Sequence, residues 1–299
     1  MKGTFVVQKQ KRSRLFRPRV IVMLTLALVL VTAGTLMRGR IIHGAVRRLS
    51  AIRSVITGQG TFTTHVFTDA QGRQMTYYLY VPAYYNSQQK YPLVLLLHGG
   101  GERGKTQSTA DQNRQLLLSQ PYVQIWEQPI IQDHWPSFIV VPQIIGGTQR
   151  WVNVPAQHGS YKLQAEPTTP LLMAKEIVDA LQKQYSVDAN RLYITGISMG
   201  AYGVWDAIER WPHYFAAAAP VAGAGDPSKA AVLKQLPIWD FHGTKDTTVP
   251  ISGSRQMISA IEAAGGHPHY TEFPGATHVI WTNAYSMPAF LQWFFSQKR

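Results

Sequence analysis

Leu192-Tyr-Ile-Thr-Gly196-Ile-Ser198-Met-Gly200-Ala-Tyr-Gly-Val-Trp205 decides the architecture of this chain. Arg191–Thr195 reads as a short strand. Ser198–Arg210 has helical spacing and is halted at Trp211-Pro212. Between them lies Gly196-x-Ser198-x-Gly200. A strand that turns sharply into a helix lifts a serine hydroxyl above the sheet. There the helix N-terminus favours a developing negative charge. The glycines suit a turn too tight for a Cβ. The pattern alone is only moderately specific, and its place between strand and helix makes Ser198 a candidate nucleophile.

Outward from this stretch, strands alternate with helices. Thr61–Thr68 and Gln74–Val81 alternate apolar and polar residues across the turn Asp69-Ala-Gln-Gly72, which predicts a hairpin. Pro92–Leu97 and Phe138–Val141 are continuous apolar runs, as expected of strands buried on both faces. Phe215–Pro220, Ile238–Phe241 and His269–Phe273 read as further strands. Leu171–Tyr185, Ile251–Ala264 and Ala284–Gln297 read as helices. The expected fold is α/β, with a mostly parallel central sheet, an antiparallel N-terminal hairpin and helices on both faces. Gly99–Asp133 in part and Gln143–Pro170 carry no clear pattern. In a parallel sheet such insertions sit over the C-terminal strand ends, where sites are built.

A serine hydroxyl needs a base to act at neutral pH, and the expected chain order is Ser, acid, His. Asp246 follows the strand ending Asp240-Phe-His-Gly243, and His278 follows the strand ending at Phe273. Ser198, Asp246 and His278 are the predicted triad. Asp226 is a weaker candidate acid. Asp240 sits inside its strand, and His242 reads as a packed residue shaping the Asp246 loop. His98-Gly-Gly-Gly-Glu-Arg-Gly104 follows a buried strand, so the backbone N–H groups of Gly100 and Met199 are the predicted oxyanion donors. Glu102 and Arg103 are candidates for an ion pair bracing that loop. Trp151, Tyr202 and Trp281 are candidate pocket walls. His267 and His269 share a strand face without a third ligand, so no metal site is expected. His134, His158 and His213 read as surface or core histidines.

Composition narrows the class. The 299 residues are 45% hydrophobic with no Cys, which excludes a disulfide scaffold, a thiolate metal site and a cysteine nucleophile. The net charge of +13 is concentrated at one end: residues 1–53 hold 12 Lys/Arg and no acid, whereas residues 54–299 hold 17 Lys/Arg and 16 Asp/Glu. The basic residues of the remainder are scattered, so nucleic acid is not expected as a partner. Residues 2–19 carry seven Lys/Arg ahead of the 17 uncharged residues Val20–Leu36. A basic segment before an apolar run reads as an export signal. Its long basic segment favours an uncleaved anchor over cleavage after Val31-Thr-Ala33. The expected organisation is a basic segment with signal peptide or anchor over 1–37, a linker over 38–57 and a catalytic domain over 58–299. That domain is expected outside the cytoplasm, membrane-anchored or secreted.

Leu97-His-Gly-Gly-Gly-Glu-Arg-Gly104, the Gly196–Asp206 elbow, Phe215–Pro220, Asp240–Asp246 and Gly275-Ala-Thr-His278 together resemble the α/β-hydrolase esterases near polyhydroxybutyrate depolymerases and feruloyl esterases. That group also includes chains labelled predicted peptidase or dienelactone-hydrolase-like. The resemblance covers about residues 60–298, with the motifs in order. It implies carboxylic-ester hydrolysis by Ser198, Asp246 and His278, a small-molecule or polymeric ester as substrate, and no cofactor. Two departures, Ala201 in place of a second Gly and the apolar run Val279-Ile-Trp281, are expected to fall on pocket walls. A serine peptidase of the same fold is the alternative, although no propeller-like domain is visible to gate peptides. A catalytically silent binding module is a further alternative, although silent members tend to lack a triad residue and none is missing here.

Overall fold

The computed structural model describes residues 60–153, 159 and 161–299. The leader and linker expected over 1–57, and His158, lie outside the described residues. Eight strands form one sheet: β1 (Phe62–Thr68), β2 (Gln74–Tyr80), β3 (Tyr91–Leu97), β4 (Phe138–Gln143), β5 (Val187–Ile197), β6 (Ala217–Val221), β7 (Trp239–Gly243) and β8 (His269–Phe273). Their spatial order is β1-β2-β4-β3-β5-β6-β7-β8. β1 and β2 form the expected antiparallel hairpin, β2 pairs antiparallel with β4, and the remaining neighbours are parallel. The hairpin turns where Asp69 Oδ1 accepts the N–H groups of Gln71 and Arg73, and Gly72 adopts φ +77°.

β3 explains its own lack of alternation. Leu93, Leu95 and Leu97 belong to one core cluster, while Val94 and Leu96 belong to another. Successive side chains point to opposite faces, so both faces of this strand are covered. The main helices are α1 (Ala110–Leu118), α2 (Thr169–Gln184), α3 (Met199–Arg210), α4 (Ser252–Ala263) and α5 (Pro288–Ser296). α2 buries Leu171, Ala174, Ile177, Val178 and Leu181, and Thr168 Oγ1 caps its start by accepting from Leu171 N–H.

Three of the differences from the sequence expectation have a plain physical cause. α1 lies in the stretch that shows no clear pattern, and it is fixed by a reciprocal capping box between Thr109 and Gln112. The expected final helix is two, Trp281–Tyr285 and α5. Pro288 lacks an N–H and pushes Met287 to an extended conformation with ψ 115°. β5 reaches back to Val187 across a register shift, and Arg191 pairs with Asp188 at 2.7 Å in its exposed first half. No helix among the described residues is long and apolar enough to cross a membrane. The chain leaves the C-terminal ends of β3, β5, β7 and β8 into the loops or turns that carry Gly100, Ser198, Asp246 and His278. A parallel sheet therefore gathers residues spread over 179 positions of sequence onto one edge.

Candidate active site

Ser198 stands between β5 and α3 with φ 51° and ψ −118°, a conformation non-glycine residues rarely hold. The turn is over-determined by its neighbours. Ser198 N–H donates to Val221 O at 2.9 Å, and Ser198 O accepts from Ala201 N–H at 2.9 Å. A Cβ on Gly196 would lie 2.8 Å from the Gly200 carbonyl, and one on Gly200 would lie 2.1 Å from Leu97 O. Both glycines are therefore required by backbone passing close to backbone.

His278 Nε2 accepts from Ser198 Oγ at 2.8 Å, and His278 Nδ1 donates to Asp246 Oδ2 at 2.7 Å. A carboxylate can only accept, which assigns the proton to Nδ1 and leaves Nε2 as the acceptor toward Ser198 Oγ. Asp246 Oδ1 accepts from the N–H groups of Thr248 and Val249 at 2.8 and 2.9 Å. Burial would raise the Asp246 carboxyl, but hydrogen bonds from His242, His278 and Val249 outweigh it and hold the group well below the usual carboxylate range.

His242 lies closer to the triad than its expected packing role implied. It is fully buried, with Nε2 3.2 Å from Asp246 Oδ2 and 3.0 Å from Val249 O, and with Nδ1 2.8 Å from Ser254 Oγ. Burial alone would lower this imidazole, yet Asp246, Asp240 and the Val249 carbonyl raise it, so the charged form is favoured. Asp240 is buried inside β7, accepts from Phe241 N–H at 3.0 Å, and is pushed up to about 7 by burial. His242 thus fixes the oxygen of Asp246 that orients His278. His242→Leu is expected to lower kcat on short esters by about 10- to 100-fold with KM little changed, because a misplaced acid misplaces the base. An unchanged kcat in folded His242→Leu would show that Asp246 holds itself.

Gly100 opens a short 3-10 turn after β3, and Met199 is the first residue of α3, so its N–H has no intrahelical partner. Fully buried His98 braces the Gly100 loop. Its Nδ1 donates to Gly99 O at 2.7 Å and its Nε2 accepts from Ile144 N–H at 3.1 Å. Burial lowers this imidazole to about 4, which keeps it neutral and suited to one donor and one acceptor role. Gln143 adds a donor to Glu102 O at 3.0 Å. The expected Glu102–Arg103 ion pair is not formed. Glu102 Oε2 is buried, while Arg103 Nε and Nη1 donate to the carbonyls of Gly100 and Gly147 at 3.3 and 3.4 Å. Adjacent residues in a tight turn send their side chains in different directions.

A cavity of about 430 Å³ opens over Ser198 and His278, with Gly100, Met199, Tyr202 and Trp281 in its wall. Trp281 stands edge-on to the His278 ring at 5.6 Å. Trp151 is not part of the wall: it is fully buried, donates to His98 O at 2.9 Å, and leaves lining to its neighbours Arg150 and Val152. Thr248, Ile197 and Arg103 also line the cavity without any sequence signal beyond proximity to the motifs. The departures at Ala201 and Val279-Ile280 lie off the wall as well. Ala201 packs against Gly223 in the core, Val279 is 65% exposed, and Ile280 is buried.

The remaining candidates have other partners. Asp226 accepts from Leu163 N–H, Ser228 N–H and Ser228 Oγ rather than from His278. His269 stacks on Trp239, and His134 Nδ1 bonds Ile130 O. Among the described residues, no group of three His, Asp or Glu side chains could hold a metal ion.

An eight-stranded, mostly parallel sheet with a serine elbow after its long central strand defines an α/β-hydrolase. Residues 68–252 match the family model Esterase, and the chain belongs to that family. A bifunctional acetylxylan esterase/xylanase of Neocallimastix patriciarum is 26% identical over 184 residues, 62% of this chain and 23% of that protein. A poly(3-hydroxyalkanoate) depolymerase C of Paucimonas lemoignei is 40% identical over 60 residues, 20% of this chain and 14% of that one. The crystal structure of a thermostable esterase superposes with TM-score 0.69 at 35% identity, covering 80% of this chain and 63% of that chain. The feruloyl esterase module from Clostridium thermocellum, complexed with sinapinate, gives TM-score 0.59 at 18% identity, covering 80% and 89%, and supports the fold. The chain thus spans less than a quarter of the first curated relative and under two thirds of the thermostable esterase.

Proposed function

We propose that this chain is a serine carboxylic-ester hydrolase. The observation that carries this is the continuous relay from Ser198 Oγ through His278 to Asp246, at 2.8 and 2.7 Å, opening into the cavity. Ser198 Oγ attacks the ester carbonyl as His278 Nε2 takes its proton. The N–H groups of Gly100 and Met199 receive the oxyanion. His278 then protonates the departing alcohol, leaving an acyl-enzyme on Ser198. Water, deprotonated by the same imidazole, attacks the acyl carbonyl, and the acid leaves as the imidazole returns that proton to Ser198 Oγ. Asp246 keeps His278 in the required tautomer throughout and stabilises its charged form. The esterase relatives support this chemistry, and nothing in it calls for a cofactor. The basic segment and apolar run of residues 2–36 support a site of action outside the cytoplasm, on an anchor or free.

The test is a chain-length series of p-nitrophenyl esters with methyl ferulate and a matched p-nitroanilide, combined with labelling by a serine-reactive phosphonate. Ester turnover well above anilide turnover, lost on labelling of Ser198, is the expected result. Labelling of Ser198 with turnover confined to the anilide would make the chain a peptidase. No turnover and no labelling of folded protein would make it a binding module.

A further inference from the structure

We propose that Arg103 forms an anion subsite joined to the reactive serine, so that the preferred esters carry a carboxylate a few bonds from the scissile carbonyl. This rests on the ester-hydrolase reading above and adds a substrate class to it. A second cavity of about 310 Å³ adjoins the one over Ser198, and the two share Gly100, Gly101 and Arg103 in their walls. Apolar Val152, Ile197 and Trp281 line the first. The second has no apolar side chain beyond glycine backbone and a threonine methyl, and adds Lys105, Thr106 and Gln107. The Arg103 side chain thus sits at the junction of an apolar chamber holding the nucleophile and a polar chamber leading away from it.

Charge at the junction is one-sided. Arg103, Lys105 and Arg150 line the two cavities, and Glu102 is the one carboxyl residue in either wall. Its Oε2 is buried, the group forms no ion pair with Arg103, and burial raises it above the usual carboxylate range. Among the described residues no carboxylate pairs with Arg103. This local excess stands out because residues 54–299 are nearly balanced, 17 Lys/Arg against 16 Asp/Glu. The two carbonyls that Arg103 contacts, at 3.3 and 3.4 Å, orient the guanidinium but leave N–H donors over. The backbone beneath it is fixed: Gly104 N–H donates to Ile144 O at 2.9 Å and Gly146 N–H to Gly104 O at 2.8 Å. A planar cation on a pinned loop, short of a counter-ion, suits a carboxylate.

The test compares kcat/KM within two pairs matched in chain length. Monomethyl adipate is set against methyl hexanoate, with the carboxylate on the acid side. 6-Acetoxyhexanoate is set against hexyl acetate, with the carboxylate on the alcohol side. The anionic member of at least one pair is expected to be preferred by about fivefold or more at low ionic strength, the scale of one partly exposed charge-assisted contact. That preference should shrink in about 0.5 M salt, which needs no variant. It should fall toward unity in Arg103→Gln and return in part in Arg103→Lys. Ratios below that level in both pairs of the wild-type protein, or a ratio that survives Arg103→Gln, overturn the subsite while leaving ester hydrolysis standing. Absence of turnover on all four esters overturns the ester reading and the subsite with it.

Discussion

Alanine at Ser198 is expected to lower kcat/KM for short acyl esters by at least about a thousandfold, and by as much as about a millionfold. The hydroxyl is the nucleophile of the proposed acyl-enzyme, and its one imidazole partner lies 2.8 Å away. His278→Ala should cost a similar factor, and the double variant should be no worse than either single one. Residues that act as a unit do not contribute additively. Stability should move little. Ser198 already sits at φ 51°, and alanine inherits the same strain while removing one partly buried hydrogen bond. Purified variants with wild-type thermal midpoints would therefore separate chemistry from folding. A Ser198→Ala enzyme that still turned over p-nitrophenyl acetate at the wild-type rate would end the assignment of Ser198. Additive losses in the double variant would mean that Ser198 and His278 do not share one step.

What the sequence made legible follows from where physics is local. The elbow, the hairpin and the two-sided apolar strands were readable because spacing and composition report directly on turns and burial. Asp246 and His278 were readable as loop residues because each immediately follows an apolar strand, and parallel strands deliver such positions to one edge. The contacts of Trp151 and His242 were not readable in this way. Trp151 is flanked by Arg150 and Val152, both in the cavity wall, and only the fold shows that the tryptophan turns inward onto His98. The contact of His242 with Asp246 depends on how the intervening turn folds back, a matter of tertiary geometry. Asp-Gln-Asn-Arg-Gln gives the first half of α1 no apolar stripe, so its cap rather than its face marks it. Glu102 and Arg103 are adjacent and opposite in charge, yet Glu102 Oε2 is buried while Arg103 turns to the carbonyls of Gly100 and Gly147.

Gly200→Ala should remove the fold of the elbow and not merely its chemistry. A Cβ built there meets Leu97 O at 2.1 Å, Leu97 C at 2.6 Å and His98 O at 2.9 Å. All three are backbone atoms. Leu97 closes β3 in a parallel ladder with Gly196, and His98 is pinned through Gly99 O and Ile144 N–H. Neither can retreat without breaking the sheet edge or the loop that carries Gly100. Overpacking of a rigid site costs about 1–3 kcal/mol and more where backbone must shift. The expected loss here is therefore about 3 kcal/mol or more, a fall in Tm of roughly 6–12 °C for a domain of this size. Gly101→Ala is the matched control, because a Cβ there meets nothing within 4 Å and the residue does not require a left-handed conformation. Its Tm should stay within about 2 °C of wild type. Equal midpoints for Gly200→Ala and Gly101→Ala would mean that α3 can slide away from β3. The close approach of strand and helix would then not be what holds Ser198 in place.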